Sequence, residues 1–227
     1  MPHTADTPKC LAQVQDRAIL DWIVESLRAN AVARIAFIGG YRIEKVQAAY
    51  PELAYYHNAA WERNNILASL MTAEAEMEEA FLCCYSDTLF TSVVIGKLLA
   101  CPADIAVVVD TDWRARYAQR SQHPPDDAEK VTARNGRITA IERAIEEGAA
   151  YGEFTGIAKF NAAGAGRLRE HYRRFRQAGG SERAYLIELF QQMIEAGVEM
   201  AHVDTAGEYM EIDTQEDFEL ARRGWGT

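Results

Sequence analysis

The 227-residue sequence contains little cysteine, no excess of basic residues and no long apolar run. Its 4 cysteines lack the spacing of a disulfide framework, and Cys83 and Cys84 are adjacent in an apolar run, which does not suit a zinc site. No apolar stretch approaches the roughly 20 residues that span a bilayer, and the first residues lack the apolar core of a signal peptide. We therefore predict a reduced, cytoplasmic protein without a membrane segment.

The charge balance is acidic. The chain has 24 Lys and Arg against 34 Asp and Glu, a net charge of −10 at pH 7. This balance argues against a broad basic face for nucleic acid. The length and the hydrophobic share of 48% suit one domain with a sizeable core, which we assign to residues 1–227.

Short apolar runs alternate with helical patterns along the chain. Residues 32–38, 81–85 and 105–109 predict strands, and apolar positions at helical spacing predict the helices that separate them. This alternation predicts an α/β fold with a mixed, mainly parallel sheet flanked by helices. The polar, proline-containing residues 111–150 predict an insertion or flap.

Two aspartates directly follow apolar runs. Asp87 comes after residues 81–85, and Asp213 comes after residues 209–212. In α/β sheets the ligand crevice lies beyond the carboxyl ends of the strands, where a pair of carboxylates can hold Mg²⁺. The alternative is that each aspartate only caps the helix that follows it.

A series of short motifs runs in order through the chain. The first is Thr4-Ala5-Asp6-Thr7-Pro8-Lys9-Cys10-Leu11. The others are His57-Asn58, Trp61, Asn64-Asn65, Ser69-Leu70, Ser86-Asp87, Asp110-x-Asp112-Trp113 with Tyr117 and Arg120, His123-Pro124, Ala128-Glu129-Lys130-Val131, Gly152-Glu153-Phe154-Thr155-Gly156-Ile157, and Glu211-Ile212-Asp213-Thr214 with Asp217-Phe218. Together they resemble the sugar-phosphate-type nucleotidyltransferases, in the branch of cytidylyltransferases that act on phosphocholine and phosphonates. The middle block is most similar to 2-aminoethylphosphonate cytidylyltransferases.

The resemblance implies a Rossmann-like nucleotidyltransferase fold and an activity. The expected reaction is Mg²⁺-dependent transfer of CMP from CTP to a small phosphonate, with release of pyrophosphate, in phosphonate biosynthesis. The catalytic residues so implied are Lys9, Asp87 and Asp213, with Asp87 and Asp213 as metal ligands. The nucleotide-binding residues so implied are Lys9, Asn65, Ser69, Ser86 and Asp87. Alternatives are a phosphocholine or sugar-phosphate acceptor, or a non-catalytic nucleotide-binding or regulatory relative.

Less specific patterns suggest where the acceptor and the base bind. Trp113 and Tyr117 could form an aromatic wall for an ammonium group, and Arg120 and Lys130 could hold a phosphonate. The predicted acceptor residues are Asp110, Asp112, Trp113, Tyr117, Arg120, Glu129, Lys130 and Glu153. Alternatively, the two aromatic residues pack the insertion and the charged loop is solvated. Asn65 and Ser69, one helical turn apart, could read a cytosine edge or act only as cap and turn residues.

One part of the family pattern is absent from residues 1–227. The first half of the signature, a Gly-x-Gly-x-Arg loop after the first strand, does not precede Thr4. The resemblance thus implies a missing strand, whose slot would leave strand edges open to association as a homodimer. We expect low transferase activity from these residues alone and a gain when a Gly-rich segment is added upstream. Pyrophosphate release measures both, and robust CTP turnover by the shorter chain would contradict the expectation.

Overall fold

A computed structural model describes residues 6–225 of the chain. The strands are β1 Gln13–Val14, β2 Arg17–Ala18, β3 Ala36–Gly39, β4 Ala54–His57, β5 Phe81–Cys83, β6 Thr88–Phe90, β7 Ile105–Asp110, β8 Lys130–Arg134, β9 Arg137–Ile141, β10 Gly152–Phe160, β11 Ala201–Thr205 and β12 Tyr209–Glu211. The helices are α1 Ile19–Arg28, α2 Ile43–Ala49, α3 Ile66–Met71, α4 Ser92–Ala100, α5 Trp113–Tyr117, α6 Ala162–Gln177, α7 Leu186–Glu195 and α8 Gln215–Gly224. Over residues 6–225, none of the helices has the length and apolar character that a bilayer span requires.

A six-stranded sheet organises the fold, with the strand order β5-β10-β7-β11-β9-β8. β11 runs parallel to β7, with Val203 opposite Val108. β10 is antiparallel to β5 and β7, and β9 is antiparallel to β11 and β8. The prediction of an α/β fold with a mixed sheet is confirmed. Its mainly parallel character is not, because β10 and the β8–β9 hairpin run against their neighbours.

The segment predicted as a flap is partly built into this sheet. Residues 111–150 supply the short helix α5, but they also supply the hairpin strands β8 and β9. Asn135 and Gly136 make the turn, with φ of 53° and 77°, as a tight hairpin turn requires. Polar outward-facing residues interrupt the apolar alternation of this hairpin, whose buried apolar side chains are Val131, Ile138 and Ile141.

The central strand β7 separates two hydrophobic cores. Ala106 and Val108 pack into the core that contains α1 and α4, whereas Ile105, Val107 and Val109 pack into the core that contains α6 and α7. Successive side chains on a strand point to opposite faces, so a strand buried on both sides reads as an unbroken apolar run. The prediction of helices on both faces follows from this pattern and agrees with the structure.

A separate pair of strands lies beside the sheet. β3 and β4 pair in parallel, with Ala36 opposite Ala54, and form their own two-stranded sheet. Phe37 packs on the α1–α4 core and Ile38 on the α6–α7 core, so β3 lies between the same two layers as the main sheet. The start of the first motif, Thr4 and Ala5, lies outside the described residues.

Another short pairing and a bulge shape the sheet edge where the site forms. β12 pairs with β6, and the amide of Ile212 donates to the carbonyl of Asp87 at 3.0 Å. In β10, the register against β7 shifts between Phe154 and Ala158. Gly156 in this bulge has φ of 77°, and a Cβ there would lie 2.3 Å from the Tyr85 ring. Only glycine therefore fits this position.

Candidate functional site

Three residues from distant parts of the chain meet at this edge. The Lys9 ammonium lies 2.9 Å from Asp87 Oδ2 and 2.7 Å from Asp213 Oδ1. Lys9 belongs to the short 3-10 helix Lys9–Leu11, Asp87 follows β5, and Asp213 follows β12. Burial would lower the pKa of Lys9, but the two carboxylates raise it, so the ammonium stays charged. The structure thus brings together the three residues that were predicted to be catalytic.

A cavity of about 450 Å³ opens beside these aspartates. Its wall is rich in carboxylates, which are Asp87, Asp127, Glu129, Glu153, Glu211 and Asp213. Among the described residues that line it, Arg143 is the one arginine, and none is a lysine. An acidic wall of this kind favours a ligand group that carries positive charge, or a metal ion, over an isolated anion.

The donor set at one end of the cavity suits a divalent cation. His123, Glu211 and Asp213 each offer a ligand atom, and these atoms lie within 4.8 Å of one another. Burial, followed by the nearby charges of Asp213 and Glu153, raises the pKa of Glu211 well above its usual value. A metal ion would offset this crowding of negative charge, and carboxylate oxygens are the ligands that Mg²⁺ prefers.

A network behind the cavity holds the Asp213 loop in place. Asp217 Oδ2 accepts from the amides of Asp213 and Thr214 at 3.1 and 2.9 Å, and from the Thr214 hydroxyl. Arg120 Nε lies 2.8 Å from Asp217 Oδ1, and both side chains are almost fully buried. Burial raises the pKa of Asp217, but His123, Arg120 and Thr214 outweigh it and bring it to about 2. Asp217 therefore stays ionised and fixes the loop that presents Asp213.

Arg120 and Lys130 do not face the cavity, contrary to the prediction that they hold a phosphonate. Arg120 pairs with Asp217 and donates to the carbonyl of Glu211 at 2.8 Å. Lys130 is buried and donates to the carbonyl of Pro125 at 3.2 Å. Both cations are engaged inside the protein, where a sequence pattern cannot distinguish them from ligand-binding cations.

The predicted aromatic wall is also displaced from the cavity. Trp113 is fully buried and Tyr117 nearly so, and their rings contact edge to face at 5.7 Å within a small core of the insertion. Their spacing of four on α5 turns both inward, which is the packing alternative considered above. The Tyr117 hydroxyl donates to Glu153 Oε1 at 2.7 Å, so it positions a carboxylate that does line the cavity.

The predicted acidic acceptor residues divide between the cavity and the interior. Asp110 is buried, and its Oδ2 lies 2.6 Å from Arg116 Nη2. Asp112 is exposed, and its amide donates to Asp110 Oδ1 at 2.9 Å. Glu129 and Glu153 line the cavity. Of the eight predicted acceptor residues, only this glutamate pair lies on its wall.

The predicted nucleotide-binding residues are split as well. Asn65 and Ser86 line the cavity with Asp87. Asn65 also caps α3, since its side chain accepts from the amide of Ile66 at 2.8 Å. Ser69 does not line the cavity, because its hydroxyl accepts from Asn58 at 3.0 Å. Asn65 and Ser69 therefore do not face the cavity together, as the reading of a cytosine edge by both would require.

Several cavity residues were not predicted. They include Arg143 after β9 and Tyr185 before α7, both on the wall next to Glu129. The Arg143 guanidinium lies over the Tyr185 ring at 4.2 Å, and its Nη2 is 3.5 Å from Glu129 Oε1. Burial is the main cause that raises the pKa of Glu129 to about 7. No sequence spacing links these three residues, and only the fold brings them together.

The class of the protein, a nucleotidyltransferase, is shown by its match to a protein family. Residues 4–184 match the MobA-like NTP transferase domain, and the chain belongs to this family. The predictions of a nucleotidyltransferase fold and of a transferase enzyme are thereby confirmed.

Two similar proteins match nearly the whole of this chain. CTP:phosphoglutamine cytidylyltransferase of Campylobacter jejuni is 24% identical over 97% of this chain and 93% of its own length. The bifunctional IPC transferase and DIPP synthase of Rubrobacter xylanophilus is 27% identical over 96% of this chain, which spans about half (48%) of that protein.

Solved structures share the fold at low identity. The inositol-1-phosphate CTP transferase from T. maritima aligns with a TM-score of 0.74 and 21% identity over 99% of this chain and 90% of that one. The CTP:phosphocholine cytidylyltransferase from Streptococcus pneumoniae aligns with a TM-score of 0.74 and 16% identity over 98% of this chain and 91% of that one.

A first prediction concerns Lys9 as a counter-ion. Lys9→Gln leaves Asp87 and Asp213 facing each other without positive charge, so the variant should melt a few degrees lower than the wild type. Mn²⁺ added without nucleotide should stabilise the variant more than the wild type, because the ammonium no longer competes for these oxygens. Thermal unfolding with and without Mn²⁺ measures both effects.

The matched control is Lys45→Gln, which removes a lysine that pairs with exposed Asp6. That variant should respond to Mn²⁺ like the wild type. An equal Mn²⁺ shift in wild type and Lys9→Gln would contradict the competition between ammonium and metal.

A second prediction follows from the raised pKa of Glu129. In the folded protein the Glu129 carboxyl stays protonated up to about pH 7, whereas its ordinary pKa is 4.5. The stability that protonated Glu129 contributes is therefore complete below pH 4.5 and is lost as the pH rises to and through 7. The free energy of unfolding of Glu129→Gln, relative to that of the wild type, should therefore increase by at most about 3 kcal/mol when the pH is raised from 5 to 8. Urea unfolding at both pH values measures the difference. Glu142→Gln, at an exposed position nearby, serves as the control, and a pH-independent difference would refute the effect.

Proposed function

We propose that the protein transfers CMP from CTP to a small phosphonate that carries an ammonium group, such as 2-aminoethylphosphonate, and releases pyrophosphate. The observation that carries the proposal is the cavity beside Asp87 and Asp213, whose wall holds six carboxylates. Named relatives of similar length act with CTP, which supports the choice of nucleotide. The ordered motifs of the middle block support a phosphonate acceptor.

In the proposed reaction, a phosphonate oxygen forms a bond to the α-phosphorus of CTP. The bond from that phosphorus to the oxygen that bridges to the β-phosphate breaks, and pyrophosphate leaves with the electron pair. Both reactants are anions, so the site must lower their repulsion and hold them in line more than it must transfer protons. Asp87 and Asp213 would hold Mg²⁺, with His123 and Glu211 beside them. Bound Mg²⁺ would neutralise phosphate charge during the displacement.

The side chains of the site have separate roles in the proposed reaction. Lys9 pairs with Asp87 and Asp213. If these aspartates held a metal ion, the Lys9 ammonium would be free to pair with a CTP phosphate. Asp217 and Arg120 keep the Asp213 loop rigid. Glu129 and Glu153, on the acceptor side, offer carboxylates to the ammonium group. Binding of that cation favours the ionised form of Glu129 and lowers its raised pKa toward the ordinary value.

The test compares 2-aminoethylphosphonate with propylphosphonate, in which a methyl group replaces the ammonium. The amine should be preferred by about 10²-fold or more in kcat/KM, because the neutral acceptor has no charge to pair with the carboxylates of the cavity wall. Pyrophosphate release is measured with CTP and UTP, with and without Mg²⁺. The assay uses residues 1–227 and the same chain preceded by a Gly-x-Gly-x-Arg segment.

Variants check the assignment of the metal ligands. Asp87→Asn should lower kcat by about 10²-fold or more, whereas Glu79→Gln, at an exposed position, should leave it unchanged. Equal turnover of the amine and the neutral acceptor would refute the acidic recognition. Turnover of phosphocholine alone would assign the acceptor to a quaternary ammonium phosphate instead. CTP binding without turnover of any acceptor would favour a non-catalytic nucleotide-binding protein.

A further inference from the structure

Arg143 is a cation on the cavity wall whose hydrogen-bonding capacity is largely unused. It lies two residues after the end of β9, next to the exposed Glu142, and it lines the cavity together with Tyr185. Its Nε is buried and has no hydrogen-bond partner among residues 6–225. Its Nη2 makes one long contact, at 3.5 Å, with Glu129. A guanidinium offers five donors, so the contact with Glu129 leaves donors on its exposed side for a ligand.

The Arg143 guanidinium lies against an aromatic ring. Its carbon lies 4.2 Å from the centre of the Tyr185 ring, which is close enough for a cation–π contact. Tyr185 is the residue before α7, and its amide donates to Glu188 Oε1 at 2.7 Å, which ties the backbone of Tyr185 to the first turn of the helix. A planar fork held against a ring binds a carboxylate in two-point fashion at little entropic cost.

The other arginines near the cavity are already paired. Arg120 is buried against Asp217, and Arg116 is buried between Asp110 and Glu153. Among the described lining residues, Arg143 is therefore the cation that can receive an anionic group of the acceptor. It stands next to Glu129, so the wall presents one positive and one negative group side by side.

This adjacent pair complements a ligand that carries the opposite pair. An ammonium and a carboxylate on the same carbon atom would place the ammonium at Glu129 and the carboxylate at Arg143. We propose that Arg143 determines specificity for acceptors of this class, namely phosphonates that carry both an ammonium group and a carboxylate. The inference rests on the proposed function, since it adds one substituent to the acceptor proposed there.

The test uses two compounds that differ only in that substituent. 2-Amino-3-phosphonopropanoate is 2-aminoethylphosphonate with a carboxylate on the carbon that bears the ammonium. Isothermal titration in the presence of Mg²⁺ should show the carboxylated compound binding about tenfold or more tightly to the wild type. Arg143→Gln should reduce this preference to less than about threefold, with little change in the affinity for 2-aminoethylphosphonate. Arg143→Lys should restore only part of it, because an ammonium lacks the fork.

The control is Arg134→Gln, which removes the same charge from the exposed end of the same hairpin. Both affinities should match the wild type in that variant. Equal affinity of the wild type for the two compounds would overturn the inference about Arg143 but not the proposed function. An equal loss of affinity for both compounds in Arg143→Gln would do the same. Failure of the wild type to bind either compound overturns the proposed acceptor class together with the inference.

Discussion

The attraction between Lys9 and the facing carboxylates of Asp87 and Asp213 joins the parts of the chain that form the site. Each aspartate ends or follows a strand, and the pairing of β6 with β12 sets them close together. Two carboxylates at this separation repel each other unless a cation lies between them. The Lys9 ammonium lies between them, and the same need for positive charge makes the position suitable for a metal ion.

Other carboxylates near the site are also paired with cations. Arg116 is shared by Asp110 and Glu153, and Arg120 is committed to Asp217. These pairs are buried and therefore rigid, but they leave the cavity wall itself acidic. Arg116 and Arg120 thus position carboxylates and do not line the cavity. Bound ligands must therefore supply much of the positive charge that the cavity lacks.

The sequence predicted the parts of the site that depend on local order along the chain. Asp87 and Asp213 were identifiable because each directly follows an apolar run, and such runs end at one sheet edge. Trp113 and Tyr117 show why other residues were misplaced, since an aromatic pair four apart on a helix looks the same whether it packs inward or faces a ligand. Arg143 could not be predicted at all, because Tyr185 and Glu129 reach it only through folding.

The same limit explains the errors in the fold. The direction of β10 cannot be predicted from its composition, because an apolar run is equally compatible with a parallel and an antiparallel strand. The hairpin of β8 and β9 did carry a local signal, Asn135-Gly136, which favours a tight turn. Its polar surroundings made the segment resemble a flap.

The bulge at Gly156 has a consequence for how acceptors can differ among proteins with this fold. Main chain at Gly156 lines the cavity next to the Tyr85 ring, since any side chain there would enter that ring. A peptide group cannot be exchanged by mutation, so this part of the lining is the same whatever side chains surround it. On the acceptor side, β10 contributes Glu153, whereas the loops after β9 and before α7 contribute Arg143 and Tyr185. Side chains on these two loops can therefore change while the strands of the sheet stay intact.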